Sequence, residues 1–175
     1  MAKNVYCIVG PSGSGKTTLA RLLRDEHGYS MLDSYTDRPM RFPNEEGHTF
    51  ISKEEFDNLK GIVAFSPFNK FRYAATAEQI DNSDLYVVDL KGVNTLKRLY
   101  KGNKRIVIIY LDADAKVCIG RMYNEGRPRE FVQARAAHDV LAFDEAVSIA
   151  DFIVDASKPL NAVVAEVLSI LNLYK

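Results

Sequence analysis

Gly10-Pro11-Ser12-Gly13-Ser14-Gly15-Lys16-Thr17 lies between the apolar run Val5-Tyr6-Cys7-Ile8-Val9 and the helix-like run Thr18-Leu19-Ala20-Arg21-Leu22-Leu23. The stretch satisfies G-x-x-x-x-G-K-[ST]. Strand, glycine loop and helix in that order separate a phosphate cradle from a surface Gly-Ser turn. Glycines let the backbone wrap closely around a triphosphate, so that successive N–H groups point inward and the following helix adds its positive end. On this reading Ser12, Gly13, Ser14, Gly15, Lys16, Thr17 and Thr18 receive the tail of ATP. Lys16 reaches the β- and γ-phosphates and the Thr17 hydroxyl takes a Mg²⁺ position.

Working outward, the chain supports one domain with a full core. It has 175 residues, of which 47% are hydrophobic and 26% charged, room for a small inserted lobe but no need of a second domain. Lys plus Arg equal Asp plus Glu at 23 each, so no overall basic field points to nucleic acid or a membrane surface, and anion binding must be local. The longest apolar run, Ile106 to Leu111, is too short to span a bilayer, and Met1-Ala2-Lys3-Asn4 runs into a strand without a signal-peptide pattern. A soluble cytoplasmic protein is expected. Cys7 and Cys118 lack metal-ligand spacing and read as buried thiols.

Strand and helix patterns then alternate, which implies a parallel sheet with helices on both faces. Leu19, Leu22 and Leu23 recur at helical spacing up to His27-Gly28, and Tyr29 to Leu32 reads as a second strand. Asp84 to Asp89, Arg105 to Leu111 and Asp151 to Asp155 complete an expected five-stranded parallel sheet. Helices are expected over Gly92–Tyr100, Ala115–Tyr123, Phe131–Ile149 and from Pro159 onward. In the last, Leu160, Val163, Val164, Val167, Leu168 and Leu171 form a core stripe. Between the second and third strands, residues 33–76 hold short pieces: a strand at Thr49-Phe50-Ile51, a capping box of Ser52 and Glu55 opening a helix over Lys53–Leu59, and strands Ile62–Phe65 and Phe71–Ala75 around a turn at Ser66-Pro67-Phe68-Asn69. They make a small inserted α+β lobe.

Three groups of polar residues fall where loops converge on the glycine stretch. Arg38 and Arg41 sit beside Pro39 and Pro43, followed by Glu45 and Glu46. Guanidinium forks held by prolines suit a second phosphate, and a solvated loop is the alternative. Asp89 ends a buried strand, where open α/β sheets place ligands; it suits a magnesium-bound water, the acceptor, or a cap on Gly92-Val93-Asn94. Arg121, Arg127, Arg129 and Arg135, around Gly126 and Pro128, form either a lid that neutralises a transferring phosphoryl group or an exposed hairpin paired with Glu125, Glu130 and Asp139. His27 and His138 read as surface groups. A kinase that passes the γ-phosphoryl group of ATP to a phosphorylated acceptor accounts for all three groups.

Over essentially its whole length the sequence resembles the guanylate kinase family. The glycine loop with its Pro-Ser pair, Ser34-Tyr35-Thr36-Asp37-Arg38-Pro39-Met40-Arg41, Phe50-Ile51-Ser52 with Glu54-Glu55-Phe56, Arg72-Tyr73-Ala74-Ala75-Thr76 and Asp89-Leu90-Lys91-Gly92-Val93 follow in that family's order. The resemblance implies a P-loop NTPase fold with a core over residues 1–32, 77–120 and 140–175, an NMP-binding lobe over 33–76 and a helical lid over 121–139. It implies that Arg38, Arg41 and Tyr73 hold the acceptor phosphate, with Ser34, His48, Thr76 and Asp89 nearby, while Lys16, Arg121, Arg127 and Arg135 stabilise the moving group, with Mg²⁺ and ATP as cofactor and donor.

Departures fall on acceptor recognition. His48 replaces a tyrosine, Ala64 a guanine-reading glutamate and Ala75 a hydroxyl residue beside Thr76. His48 is either a pH-dependent donor to the acceptor phosphate or a packed loop histidine. GMP or dGMP is the expected acceptor. Ribose 1,5-bisphosphate, for which similar short kinases also lack the glutamate, and a non-catalytic interaction module are the alternatives. No nucleic acid or membrane partner is expected, and a monomer or homodimer is.

Overall fold

The computed structural model describes residues 3–174, the side chains of 140–144 excepted; Met1 and Ala2, part of the leader-free reading, lie outside the described residues. β1 (Asn4–Val9) is buried along its whole length. Its neighbours are β6 (Leu85–Val87) on one side and β7 (Arg105–Asp112) on the other, with β8 (Phe152–Asp155) beyond β7. All three pairings are parallel, and Ile8 stands opposite Val87 and Ile109. Continuous apolar strands of this kind require cover on both faces, and alternate β1 residues feed two cores. Tyr6 and Ile8 pack with Leu19 and Leu23 of α1 (Lys16–His27) and with Val163, Val167 and Leu171 of α7 (Leu160–Asn172). Val5, Cys7 and Val9 pack with Val93 and Leu96 of α4 (Leu90–Leu99) and Ala146 of α6 (Arg129–Ile149). Each large aliphatic side chain so buried contributes about 1.5–3 kcal/mol, which holds the glycine loop rigidly at the carboxyl end of β1. Both cysteines are buried free thiols.

Among the described residues the main sheet has four strands, not the five expected. Tyr29 to Leu32 runs beside β6 but forms one bridge only, Met31 to Leu85, with Leu32 N–H donating to the Leu85 carbonyl at 2.8 Å. The reason is length. α1 ends at Gly28, whose φ of 73° reverses the chain, and by Ser34 the chain has entered the second sheet. Ser30 also turns toward Asp84, donating through its N–H and hydroxyl to that carboxylate. Too little extended chain remains for a ladder.

The inserted segment forms its own sheet in the order β3-β2-β5-β4, built from β2 (Ser34–Thr36), β3 (His48–Phe50), β4 (Ile62–Phe68) and β5 (Phe71–Thr76). The capping box of Ser52 and Glu55 forms, and α2 (Lys53–Asp57) is two residues shorter than expected. β4 runs on through Ser66-Pro67-Phe68, so the turn centres two residues later than expected, at Asn69 and Lys70, with φ of 47° and 68°. Two central residues at positive φ give a tight hairpin turn whose twist matches the strands. Pro67 does not break β4 because β4 is an edge strand. A second capping box, Thr76 with Gln79, opens α3 (Ala77–Asn82). Among the described residues no helix is long and apolar enough to cross a membrane.

Candidate active site

The glycine loop joins β1 to α1 and carries the geometry expected of a phosphate cradle. Gly13 and Gly15 have φ of 81° and 93°, a region closed to most side chains. A Cβ on Gly13 would also overlap the carbonyl oxygen of Cys118, in α5 (Ala115–Asn124), so the tight approach of α5 to the loop needs glycine there. α1 begins at Lys16 with no side-chain cap, leaving its first-turn N–H groups for an anion. Lys16 Nζ is folded back onto the carbonyls of Gly10 and Pro11, each at 2.7 Å. Burial pushes its pKa down to about 8, partly opposed by Asp139. Thr17 and Thr18 are exposed.

Two of the lid arginines meet this loop. Arg121, on the last turn of α5, donates to the carbonyls of Gly13 and Ser14 at 3.4 Å and of Ala156 at 2.9 Å. Arg135, on α6, donates from Nε to Ser12 Oγ at 2.9 Å, and its guanidinium lies 4.1 Å from the Phe68 ring at the tip of the β4–β5 hairpin. Burial lowers the Arg135 pKa. Lid, glycine loop and inserted lobe thus touch at one side chain. Arg127 is not brought onto the loop. It follows Gly126, whose φ of 75° reverses the chain between α5 and α6, and it pairs with Glu125 at 2.7 Å. Arg127 is half-buried with its guanidinium 5.6 Å from the Phe131 ring, whereas Asp139 does not pair with a hairpin arginine: its Oδ2 accepts the Ser12 N–H at 2.8 Å.

Across the cleft, a cavity of about 390 Å³ is bounded by Arg38, Arg41, Tyr73, Phe68, Phe71 and Phe131 among others. Arg38 is 6% exposed and fully engaged: Nη1 and Nη2 grip Glu45 at 3.1 and 2.8 Å, Nη1 also meets the Pro39 carbonyl, and Nε donates to Tyr73 Oη at 3.2 Å. The hydrogen bonds from Arg38 hold the Glu45 pKa down to about 2. The Arg41 N–H donates to the same carboxylate at 2.8 Å, while the Arg41 side chain stays exposed. Sequence reasoning passed over Glu45 as a neighbour of two arginines. Its signal was an acid one loop turn beyond Arg41.

His48 is a packed residue. Its Nδ1 lies 3.0 Å from Ser34 Oγ and its ring 5.3 Å from that of Tyr73. Burial, reinforced by Arg38, pushes its pKa down to about 4, which favours the neutral ring near pH 7 in the free protein. Asp89 caps α4 through the Gly92 N–H at 2.8 Å, the third of the three roles open to it, and its other oxygen accepts from Ser66 Oγ. Ala64 and Ala75 face each other across the β4–β5 ladder, both fully buried. The Thr76 hydroxyl caps α3, accepting from the Gln79 N–H.

A family model described as an AAA domain matches residues 7–138, about three quarters of the chain. Curated relatives include the guanylate kinases of Bartonella henselae, 28% identical over 68% of this chain and 58% of that protein, and of Legionella pneumophila strain Lens, 30% identical over 64% and 59%. The chain therefore spans under three fifths of those two relatives. The guanylate kinase of Nitrobacter winogradskyi is 27% identical over 96% of this chain and 81% of its own. Among solved structures, the guanylate kinase of Anaplasma phagocytophilum superposes with a TM-score of 0.66 at 13% identity, over 99% of this chain and 87% of that one. The fold is shared, and the resemblance to guanylate kinases read from the motifs is borne out.

Proposed function

Because the chain belongs to the P-loop family described by that AAA-domain model, we propose that it passes the γ-phosphoryl group of ATP to the phosphate of a nucleoside monophosphate, GMP or dGMP. The observation that carries this reading is the meeting of three elements around Ser12: the glycine loop with Lys16, Arg121 and Arg135 from α5 and α6, and the β4–β5 hairpin of the lobe through Phe68. One anion then lies on the loop, a second lies against Arg38, Arg41 and Tyr73, and guanidinium groups stand between them. Phosphoryl transfer needs little else than this positioning and charge neutralisation.

Residues 12–18 take the donor. Lys16 leaves the Gly10 and Pro11 carbonyls for the β- and γ-phosphates, Arg121 and Arg135 stabilise charge on the moving group, and Arg127 joins them when the lid over 121–139 closes. The lobe over 33–76 brings the acceptor, with Arg38, Arg41 and Tyr73 on its phosphate and Ser34, His48, Thr76 and Asp89 around the rest of it. The remainder, 1–32, 77–120 and 140–175, is the fixed core. Mg²⁺ fits this donor set. Thr17 offers an exposed hydroxyl with no hydrogen bond among the described residues, one oxygen ligand for an ion that takes its other ligands from waters and substrate phosphates. When bound at Thr17, the ion would supply positive charge that offsets that of the phosphates.

A coupled assay for ADP release across GMP, dGMP, other nucleoside monophosphates and ribose 1,5-bisphosphate tests the proposal. Turnover with the sugar phosphate and none with GMP would overturn the acceptor. Lys16→Ala should abolish turnover with the fold preserved. Absence of any rise in melting temperature with saturating ATP·Mg²⁺ would favour a non-catalytic module, since a specific ligand stabilises by mass action.

A further inference from the structure

Asp139 lies one helical turn beyond Arg135 on the same face of α6, and its carboxylate is 13% exposed. Oδ2 accepts the Ser12 N–H at 2.8 Å and Oδ1 lies 3.3 Å from His138 Nδ1. Arg135 holds the Ser12 hydroxyl at the same time, so α6 grips both the main chain and the side chain of one loop residue. Lys16 and Arg135 are both close enough to feel the Asp139 charge. The contact has the chemistry of a loop amide on a phosphate oxygen: an anionic oxygen accepting a backbone N–H beside a lysine and an arginine.

We infer that Asp139 is an internal anion that competes with the donor's phosphates for the Ser12 amide, so that ATP binds by displacing this carboxylate. The inference rests on the phosphate-loop reading above and adds a residue to it. Two anionic oxygens do not share one N–H in a partly buried site, because each repels the other and only one obtains the hydrogen bond. Without nucleotide, Asp139 keeps the loop satisfied and α6 docked. With nucleotide, the phosphate takes the amide and Asp139 turns away, leaving Arg135 and Lys16 to the phosphates. The carboxylate therefore lowers donor affinity and stabilises the free enzyme.

Isothermal titration with Mg·AMP-PNP, and with adenosine as a phosphate-free control, tests this on the full chain. Asp139→Asn keeps the shape and removes the charge. It should tighten AMP-PNP about tenfold, the scale of one charge-assisted hydrogen bond, leave adenosine unchanged and lower the melting temperature of the free protein. Asp139→Ala should act in the same direction. In the wild type, the Ser12 amide proton should shift on titration with Mg·AMP-PNP as its acceptor changes from carboxylate to phosphate, a readout independent of either variant's folding. AMP-PNP binding by the wild type with equal or weaker binding by both variants overturns the inference and leaves the phosphate loop standing. No AMP-PNP binding by the wild type overturns both.

Discussion

Replacing Glu45 by Gln isolates the charge that holds Arg38. The pair is buried on both sides, 6% and 8% exposed, and bidentate. Its strength can be read from the carboxyl pKa, held down from the ordinary 4.5 to about 2, first by the hydrogen bonds from Arg38. At about 1.4 kcal/mol per unit, that depression has a ceiling of about 3 kcal/mol. The loop borders the open cavity, so solvent screens part of it and about 2 kcal/mol is the working figure. A depressed carboxyl stabilises the fold above its unfolded pKa and loses that contribution as pH falls toward the folded one. The variant should therefore be about 2 kcal/mol less stable than wild type at pH 7, about 4–8 °C in melting temperature for a chain of this size. The gap should narrow steadily between pH 4.5 and 2. Urea unfolding of both proteins at pH 7 and pH 3 measures it. A gap under about 0.5 kcal/mol at pH 7, or one of equal size at both pH values, would refute the claim that the guanidinium depends on this carboxylate.

Three further outcomes are expected. Arg41→Ala should raise the KM for the acceptor at least tenfold while changing ATP binding little, because its side chain lines the lobe cavity; steady-state kinetics varying each substrate would show equal losses on both if the placement were wrong. Lys16, at about 8 in the free protein, should regain an ordinary pKa beside phosphates, so nucleotide binding above pH 8 takes up a proton. Titration in two buffers of different ionisation enthalpy detects it, and Lys16→Met should abolish it. The same depression means that Lys16 holds its proton more tightly in the unfolded chain between about 8 and 10.5, so the contribution of Lys16 alone to stability rises with pH across that window, read as the difference between wild type and Lys16→Met. Lys70→Gly should raise stability by about 1 kcal/mol in thermal unfolding, since Lys70 holds a φ of 68° that glycine adopts without strain; a loss instead would show that the lysine side chain supports the hairpin.

The parts of this molecule legible from sequence are those whose physics is local. The glycine loop is eight contiguous residues between a strand and a helix, and both its turn geometry and its lysine follow from residue type. The capping box at Ser52 needs only a four-residue window. Errors appear where distant chain decides. Tyr29 to Leu32 has the composition of a strand, but the exit to β2 at Ser34 cuts its pairing to one bridge. Pro67 reads as a turn until the edge position of β4 is known. The Asp139 contact spans 127 residues and depends on the angle at which α6 crosses the loop, which no periodicity encodes. The neutrality of His48 likewise follows from packing against Tyr73 and from the nearby Arg38.

The internal pairing of the cations bears on how the site discriminates. Lys16 rests on two loop carbonyls, Arg121 on three carbonyls, Arg38 on Glu45, and the Ser12 amide on Asp139. None of these donors waits in water, so a phosphate gains only the difference between its own hydrogen bonds and those it replaces. A weakly charged or badly placed anion gains nothing by that exchange, whereas a phosphate that meets several donors at once gains at each. In a chain with no net charge, selectivity for phosphate then comes from the number of simultaneous exchanges and not from a long-range field. It follows that removing the charge of one internal acceptor, as in Glu45→Gln or Asp139→Asn, should loosen discrimination between phosphate and other oxyanions such as sulfate, even where phosphate itself binds more tightly.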